Sequence, residues 1–367
     1  MTPIPTSAAS PQIRIVRRSK PAAKILAIQT GKRKRETLSV SDFLKNRSLW
    51  EPSRPKTGMG QAETAQAEVD AAEILFIGNT CGVSYVLANE AVKAGVSARV
   101  VAPDYVSQGS GPLLIGTSGM VDLAVSNDDQ VQIIEARAAT DRPVLLKRKK
   151  KVVLYHGTDL RTGYAVRATP AFVTTRDMLP LLPGASLLHR PVDPSIFRPD
   201  ERIRKAKEAY KSRFGIERIV GHFPTNRGTK GSDAVDAAIR AAMAQRSWEY
   251  VTLSGASLVS AWVLPSIFAW CDYVIDWINP SFGIYGLVAV QAAFCGAVPV
   301  ASVNAEHLDS PELEGEIINV KTATEAVEAI GHGEKPKGDG SGLRGFYSSK
   351  VAYGHFAGQL KEWGLSK

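Results

Sequence analysis

The stretch from Glu73 to Tyr105, EILFIGNTCGVSYVLANEAVKAGVSARVVAPDY, constrains the fold more than any other part of the chain. EILFIG is a short apolar run of the kind that forms a buried strand, and it ends at Gly78. SYVLANEAVKAG places its apolar residues at helical spacing and closes at Gly95, after which ARVVAPDY resumes as a strand. Strand, glycine-containing turn, helix and strand make a βαβ unit, which demands a parallel sheet and a right-handed crossover. A Rossmann-like domain therefore begins at residue 73.

Further strands are expected at 121–125 (VDLAV), 152–155 (VVLY), 171–175 (AFVTT) and 185–193 (ASLLHRPVD). A charged helical run, ERIRKAKEAYKSRFG, then leads into a second β/α series. Its strands are RIVGHF (218–223), EYVTLSG (249–255), YVIDWI (273–278) and AVPVASV (297–303), separated by helical stretches such as SDAVDAAIRAAMAQ and GLVAVQAAFCG. A length of 367 residues suits two such domains, each able to bury its own core. The expected division is a basic extension over 1–72, domains over 73–200 and 201–345, and a closing helix over 346–367. Two doubly wound halves joined near residue 200 imply a cleft, with ligands at the carboxyl ends of the strands.

The formal charge of +9 suggests a nucleic-acid binder until it is located along the chain. Residues 1–60 hold 13 of the 45 Lys and Arg and only three of the 36 Asp and Glu, leaving 32 bases against 33 acids elsewhere. The body is thus near neutral. The basic segment 14–56, with Arg17, Arg18 and the KRKR at 32–35, is either a polyanion contact, for nucleic acid or an anionic membrane, or a solvated appendage. Within it IRIV and KILAIQ could pair as strands, although a loosely attached extension is the expectation. No apolar run reaches the roughly 18 residues of a membrane span, and MTPIPTSAAS lacks the layout of a secretory signal, so a cytoplasmic protein is expected. Cys81, Cys271 and Cys295 form neither a metal-ligand spacing nor a disulfide framework and read as buried thiols.

Three segments carry candidate chemistry. GNTCGVS (78–84) joins a strand to a helix, so its backbone N–H groups could face an anion, with a plain tight turn as the alternative. LYHGTDLR gathers His156, Thr158, Asp159 and Arg161 at a strand's carboxyl end. HFPTNRGTKGSD sets Arg227 and Lys230 in a glycine-punctuated loop before a helix that starts near Ser232 or Asp233. Two cations beside a helix N-terminus can neutralise a diphosphate; a solvated basic loop is the alternative.

Taken in order, VVLYHGTDLR, TTRDMLPLLPGASLLHRPVDPSIFRP, GHFPTNRGTKGSD and DYVIDWINPSFGIYGLVAVQAAFCGAVPVAS resemble the successive landmarks of family 4 glycosyltransferases, from about residue 73 to 305. The resemblance implies an α/β fold of two doubly wound Rossmann-like domains facing a cleft (GT-B), here with a basic N-terminal extension. It implies a nucleoside-diphosphate sugar as co-substrate, no cofactor, no obligatory metal, and transfer with retention. By the same resemblance Arg227 and Lys230 would hold the donor diphosphate and His156 would reach the donor sugar. The turn from Gly78 to Gly82 would approach the diphosphate from across the cleft, and Asp159 and Arg161 would also bind the donor. Ser254 and Gly255 would pass beside the base, and Tyr285, Gly286 and Gln291 would line the nucleotide, Tyr285 being equally well a core aromatic.

The family usually carries two glutamates eight residues apart in the last landmark, one for sugar hydroxyls and one for the ribose. Here Gly283 and Gln291 stand at those places. Gln291 can still hydrogen-bond a hydroxyl, whereas Gly283 offers only backbone, which makes Asp276 the candidate compensating carboxylate. The expected function is a glycosyltransferase acting on an unidentified acceptor. A catalytically degenerate nucleotide-sugar or glycan-binding protein, and a transferase modifying nucleic acid docked by the basic segment, remain the alternatives.

Overall fold

The computed structural model describes residues 12–16, 67–79, 82–103, 114–117, 130–141, 143–161, 163, 165–224, 227–254, 263–310 and 313–366. KILAIQ, the strand expected at 121–125, Cys81 and Gly255 lie outside them.

Strand β1 (Gln12–Val16) precedes the first domain, which runs β2 (Ile74–Ile77), α1 (Val83–Lys93), β3 (Ala98–Pro103), β4 (Leu114–Thr117), β5 (Val131–Glu135), α2 (Ala136–Asp141), β6 (Lys151–Tyr155), α3 (Thr158–Arg161), β7 (Ala171–Val173) and β8 (Ser186–Leu187). Its sheet is parallel throughout, in the order β4-β3-β2-β5-β6-β7-β8. The βαβ unit read from residue 73 is present as β2, α1 and β3, and α1 buries Val83, Leu87, Ala88 and Ala91 on the face toward the sheet. The central strand β5 was not expected from the sequence. All five of its residues are buried, but Gln132 interrupts the apolar run that would have marked it. The domain also reaches back beyond residue 73. Val69 is buried, and the Gln130 amide donates to the carbonyls of Val69 and Ala72 at 2.7 Å each.

The second domain runs α4 (Glu201–Phe214), β9 (Arg218–His222), α5 (Ser232–Gln245), β10 (Trp248–Ser254), α6 (Leu264–Trp270), β11 (Tyr273–Ile275), α7 (Leu287–Phe294), β12 (Val298–Ala301), β13 (Ile318–Asn319) and α8 (Ala323–His332). Asp200 caps α4 by accepting from the N–H groups of Arg202 and Ile203, and Gly215 ends the helix in the left-handed region at φ 64°. The sheet order is β1-β10-β9-β11-β12-β13, parallel except at β1. The two sheets make the fold an α/β pair of Rossmann-like domains.

Strand β1 corrects the expectation of a loose extension. IRIV pairs antiparallel with β10, from Gln12 opposite Ser254 to Val16 opposite Tyr250, and so completes the edge of the second sheet. Residues 12–16 are thus joined to the second domain, although the first domain follows them in the chain.

Among the described residues the chain crosses between the domains near Val192 and again near Tyr347, and these two passages are stitched together. Val192 N–H donates to the Tyr347 carbonyl at 2.8 Å, and Ser349 N–H donates to the Val192 carbonyl at 2.9 Å. Beyond α9 (Ser341–Phe346), the closing helix α10 (Ser349–Glu362) lies on the first domain. Its Phe356 ring sits 5.8 Å from Phe76 and 5.6 Å from Phe172, and Ser349 Oγ donates to the buried Glu90 carboxylate at 3.0 Å.

Deleting residues 1–20 exposes the backbone edge of β10. We expect a loss of about 1–3 kcal/mol, the net scale of a few backbone hydrogen bonds, read as a lower urea midpoint with the fold retained. An unchanged midpoint would show that β1 contributes nothing to the second sheet.

Candidate functional site

Both sheets have a switch point, where successive connections leave on opposite sides of one strand. In the first domain it lies between β2 and β5, and in the second between β9 and β11. Crevices open there at the carboxyl ends of the strands. Those ends face one another across the domain boundary. The Arg161 guanidinium, after β6, sits 6.0 Å over the Phe282 ring, after β11, and Arg176, after β7, donates to the Leu308 carbonyl, after β12, at 3.0 Å.

The second-domain crevice is organised around Asp276, which follows β11 and is 1% exposed. Its Oδ1 accepts from Lys230 Nζ at 2.6 Å, and its Oδ2 accepts from the Gly286 N–H at 2.5 Å and the Ala289 N–H at 3.3 Å. The carboxylate thus satisfies the N-terminal amides of α7 and the charge of Lys230 together, which is how a buried ion is tolerated. Lys230 is itself 4% exposed and lies 5.5 Å over the Trp277 ring. Close packing leaves no room for side chains at the glycines here. A Cβ on Gly286 would fall 2.7 Å from Asp276 Oδ2, and one on Gly231 would overlap the Ile278 carbonyl oxygen.

Behind Lys230, His222 is fully buried. Its Nδ1–H donates to the Ile275 carbonyl at 2.9 Å, so Nε2 accepts from the Ser232 hydroxyl at 2.8 Å. Burial pushes the imidazole down to about 4, with the Lys230 charge acting in the same direction, so the ring is neutral at pH 7. Helix α5 starts here behind Gly231 at φ 68°, with no side-chain cap. Arg227 stands at the mouth with its side chain 46% exposed, paired to Asp233 at 3.0 Å and Asp236 at 2.7 Å.

Gly283 is buried at φ 55°, where L side chains are disfavoured, and a Cβ on it would overlap the Asn304 carboxamide. Its carbonyl accepts from the Asn304 N–H at 2.8 Å. Gln291 is buried on α7. Tyr285 belongs to the core, the second of its two readings: its hydroxyl is 2.6 Å from that of Tyr347, and burial raises its pKa. Ser254 ends β10, opposite Gln12 of β1.

In the first domain, His156 Nε2 donates to Glu135 Oε1 at 3.2 Å, and Ser84 Oγ donates to the same oxygen at 3.1 Å. Gly78, at φ 106°, makes room for that carboxylate, since a Cβ there would lie 2.6 Å from Glu135 Oε2. Gly82, at φ 76°, leads into α1, and the buried Asn79 accepts from the Tyr85 N–H at 3.0 Å. Arg161 is turned to Asp177, with Nε and Nη2 donating at 2.6 and 2.8 Å, and Nη2 also donates to Thr175 Oγ1 at 2.7 Å. Burial raises the Asp177 carboxyl, but the Arg161 and Thr175 contacts outweigh it and hold it below its usual value. Asp159 lies in α3 beside Arg161.

The structure therefore brings Lys230, Gly286 and Asp276 together, gathers Gly78 and His156 about one carboxylate, and sets Tyr285 apart in the core. Sequence reasoning missed Glu135 and Asn304. Glu135 ends a strand that was not anticipated, and Asn304 is tied to the site only by its contact with a distant glycine.

No family model matches the sequence, and no curated protein matches it significantly. Solved structures do. HepE of Anabaena in complex with UDP-glucose aligns with a TM-score of 0.52 at 13% identity, over 79% of this chain and 99% of that one. AviGT4, a glycosyltransferase involved in avilamycin A biosynthesis, gives 0.52 at 13% over 80% and 98%. Sucrose-phosphate synthase from Thermosynechococcus elongatus gives 0.51 at 12% over 79% and 99%. These neighbours are GT-B glycosyltransferases, and the likeness fixes the fold of this chain as theirs.

Lys230→Ala leaves a buried carboxylate without its cation, and a loss of about 3–5 kcal/mol is expected in urea denaturation. A loss below 1 kcal/mol would mean that the Lys230–Asp276 contact contributes little to the fold.

The neutral burial of His222 has its own signature. The folded-state pKa of about 4 lies below the unfolded value of 6.5, so the unfolded chain binds more protons between the two. Its contribution, about 3 kcal/mol, is complete above pH 6.5 and is lost as the pH falls toward 4. His222→Gln should flatten that limb of the stability profile.

Proposed function

We propose that this chain is a glycosyltransferase that takes its sugar from a nucleoside-diphosphate donor held in the β9/β11 crevice. The observation that carries the reading is the N-terminus of α5, a 14-residue helix that opens at a switch point without a side-chain cap. Such an end is an anion site by virtue of its dipole and its first-turn N–H groups, of which that of Ser232 already donates to the Arg227 carbonyl at 3.1 Å. Arg227 stands at its mouth, and its present partners, Asp233 and Asp236, hold it only at the surface. Exchanging these carboxylates for a diphosphate would bring a forked, charge-assisted contact to the leaving group. That HepE has been solved with UDP-glucose on the same fold supports the class of ligand.

In this mechanism the developing negative charge on the departing nucleoside diphosphate is met by Arg227 and the α5 amides. Lys230 contributes from behind, through the pair with Asp276 that positions the α7 N-terminus. His156, oriented by Glu135, reaches the donor sugar from the first domain, which also receives the acceptor. No metal or cofactor takes part, and the family resemblance implies retention at the anomeric carbon. The basic segment 14–56 is proposed to contact a polyanion, by its charge alone.

A second reading has a specific observation in its favour. Gly283 has no room for a carboxylate, because Asn304 fills the space. A protein that binds the nucleotide sugar without turning it over would tolerate that loss. The two readings part in one experiment, in which UDP-, GDP- and ADP-sugars are screened for thermal stabilisation and the binding donor is then followed by NMR for release of its nucleotide. A donor that stabilises and is consumed establishes the transferase, one that stabilises and stays intact establishes the binding protein, and no stabilisation by any of them refutes both.

Arg227→Ala should weaken binding of the nucleoside diphosphate by about 1.5–3 kcal/mol, the scale of a hydrogen bond to a charged group. Its effect on stability should stay below about 1 kcal/mol, because the pairs it breaks are exposed. Calorimetry showing undiminished affinity would place the diphosphate elsewhere.

A further inference from the structure

The Tyr285–Gly286 peptide unit is engaged on both sides. Its carbonyl accepts from Arg190 Nη1 at 2.8 Å, while its N–H donates to Asp276 Oδ2 at 2.5 Å. The other oxygen of Asp276 holds Lys230. Arg190 belongs to the connection between the domains, two residues before Val192, where that connection is stitched to the Tyr347–Ser349 passage. A single peptide therefore stands between the interdomain segment and the buried ion pair of the donor crevice.

The surroundings of Arg190 are unusual for an arginine that serves packing alone. It is 7% exposed, lies 5.2 Å over the Tyr285 ring and 5.7 Å over the Tyr347 ring, and approaches Asp309 only to 3.7 Å. Asp309 instead accepts from the Tyr347 hydroxyl. The Nε of Arg190 is buried with no hydrogen-bond partner. Burying a guanidinium with one donor unmet is costly, and Arg190 offsets that cost through the Tyr285 carbonyl, a contact with the Tyr347 hydroxyl and the Asp309 carboxylate. A cation on that carbonyl polarises the peptide and strengthens its N–H as a donor to Asp276.

We propose that Arg190 is a positioning residue for the donor crevice: through the Tyr285–Gly286 peptide it fixes Asp276, and with it Lys230, so that the interdomain connection and diphosphate binding are coupled. This rests on the crevice being the donor site. The coupling is reciprocal, so a bound diphosphate also stiffens the hold of the second domain on the connection.

The test is a double-mutant cycle read by calorimetry on the full chain. UDP, GDP and ADP are titrated into the wild type, and the nucleotide that binds is carried through Arg190→Lys, Asp276→Asn and the double variant, each with its denaturation curve. Arg190→Lys keeps the charge but has no Nη1, and its shorter side chain withdraws the donor from the Tyr285 carbonyl, so Kd should rise about five- to tenfold, the lower range for a coupling between sites. In the Asp276→Asn background the same change should move Kd less than about twofold, because the relay ends at that carboxylate. Tyr347→Phe, which removes the hydroxyl contacts with Asp309, Tyr285 and Arg190 but leaves the Tyr285–Gly286 peptide and Asp276 in place, should keep Kd within about twofold. A merely structural arginine would lower the denaturation midpoint and leave Kd unchanged, and that result, or additive effects in the cycle, overturns the proposal. If Arg190→Lys does not fold, Arg190→Gln carries the same comparison. Failure of all three nucleotides to bind the wild type refutes the donor-site reading itself, and the coupling falls with it.

Discussion

The carboxylate of Asp276 is the point on which the second domain's crevice turns. It is withdrawn from solvent, and its two oxygens answer to different parts of the chain, Lys230 from the loop after β9 and the amides that open α7. Neither partner could be buried alone at tolerable cost, since an unpaired ammonium and a set of orphan N–H groups each require compensation. Together they close. The glycines at 231 and 286 are consequences of that closure, because the backbone must approach to distances that leave no room for a side chain. The parallel ladder sets β11 against β9, and the contacts of Asp276 tie together the loops above those strands.

The first domain carries a smaller arrangement of the same kind. Glu135 sits at the carboxyl end of the central strand, with Ser84 and His156 on one oxygen and Gly78 yielding space to it. Each switch point is thus occupied by a buried carboxylate with a glycine turn pressed against it. In both cases the glycine is explained by the carboxylate, without appeal to a ligand. What the two crevices present outward differs. The second has an exposed guanidinium beside an uncapped helix N-terminus, whereas the first has an imidazole whose orientation is set from behind.

Among the described residues, the domains are joined by the passages near Val192 and Tyr347 and by one helix. The backbone bonds around Val192 hold the passages side by side, and α10 returns to bury Phe356 among the aromatic rings of the first domain. The closing helix, although last in sequence, is therefore a structural part of the domain that comes first. With β1 lying on the second sheet, the two ends of the described chain are exchanged between domains.

Much of this was legible in the residues. The periodicity of 73–105 fixed a βαβ unit, and the recurrence of strand and helix after residue 217 fixed a second one, because local hydrophobic spacing suffices for parallel α/β units. The loop with Arg227 and Lys230, and the absence of acid at 283, could likewise be read in order along the chain. Pairing could not. That Lys230 spends its charge on Asp276, that Asn304 fills the space above Gly283, and that Arg161 turns to Asp177 are contacts between residues up to 46 positions apart, decided by which loops the sheet order brings together. The sequence by itself determined most of the elements, the parallel α/β class and the inventory of charges, but neither β5 nor the antiparallel place of β1. The tertiary structure alone decided which charges are already neutralised and which remain at the surface, because burial and partnership depend on distances across the crevice rather than on spacing in the chain.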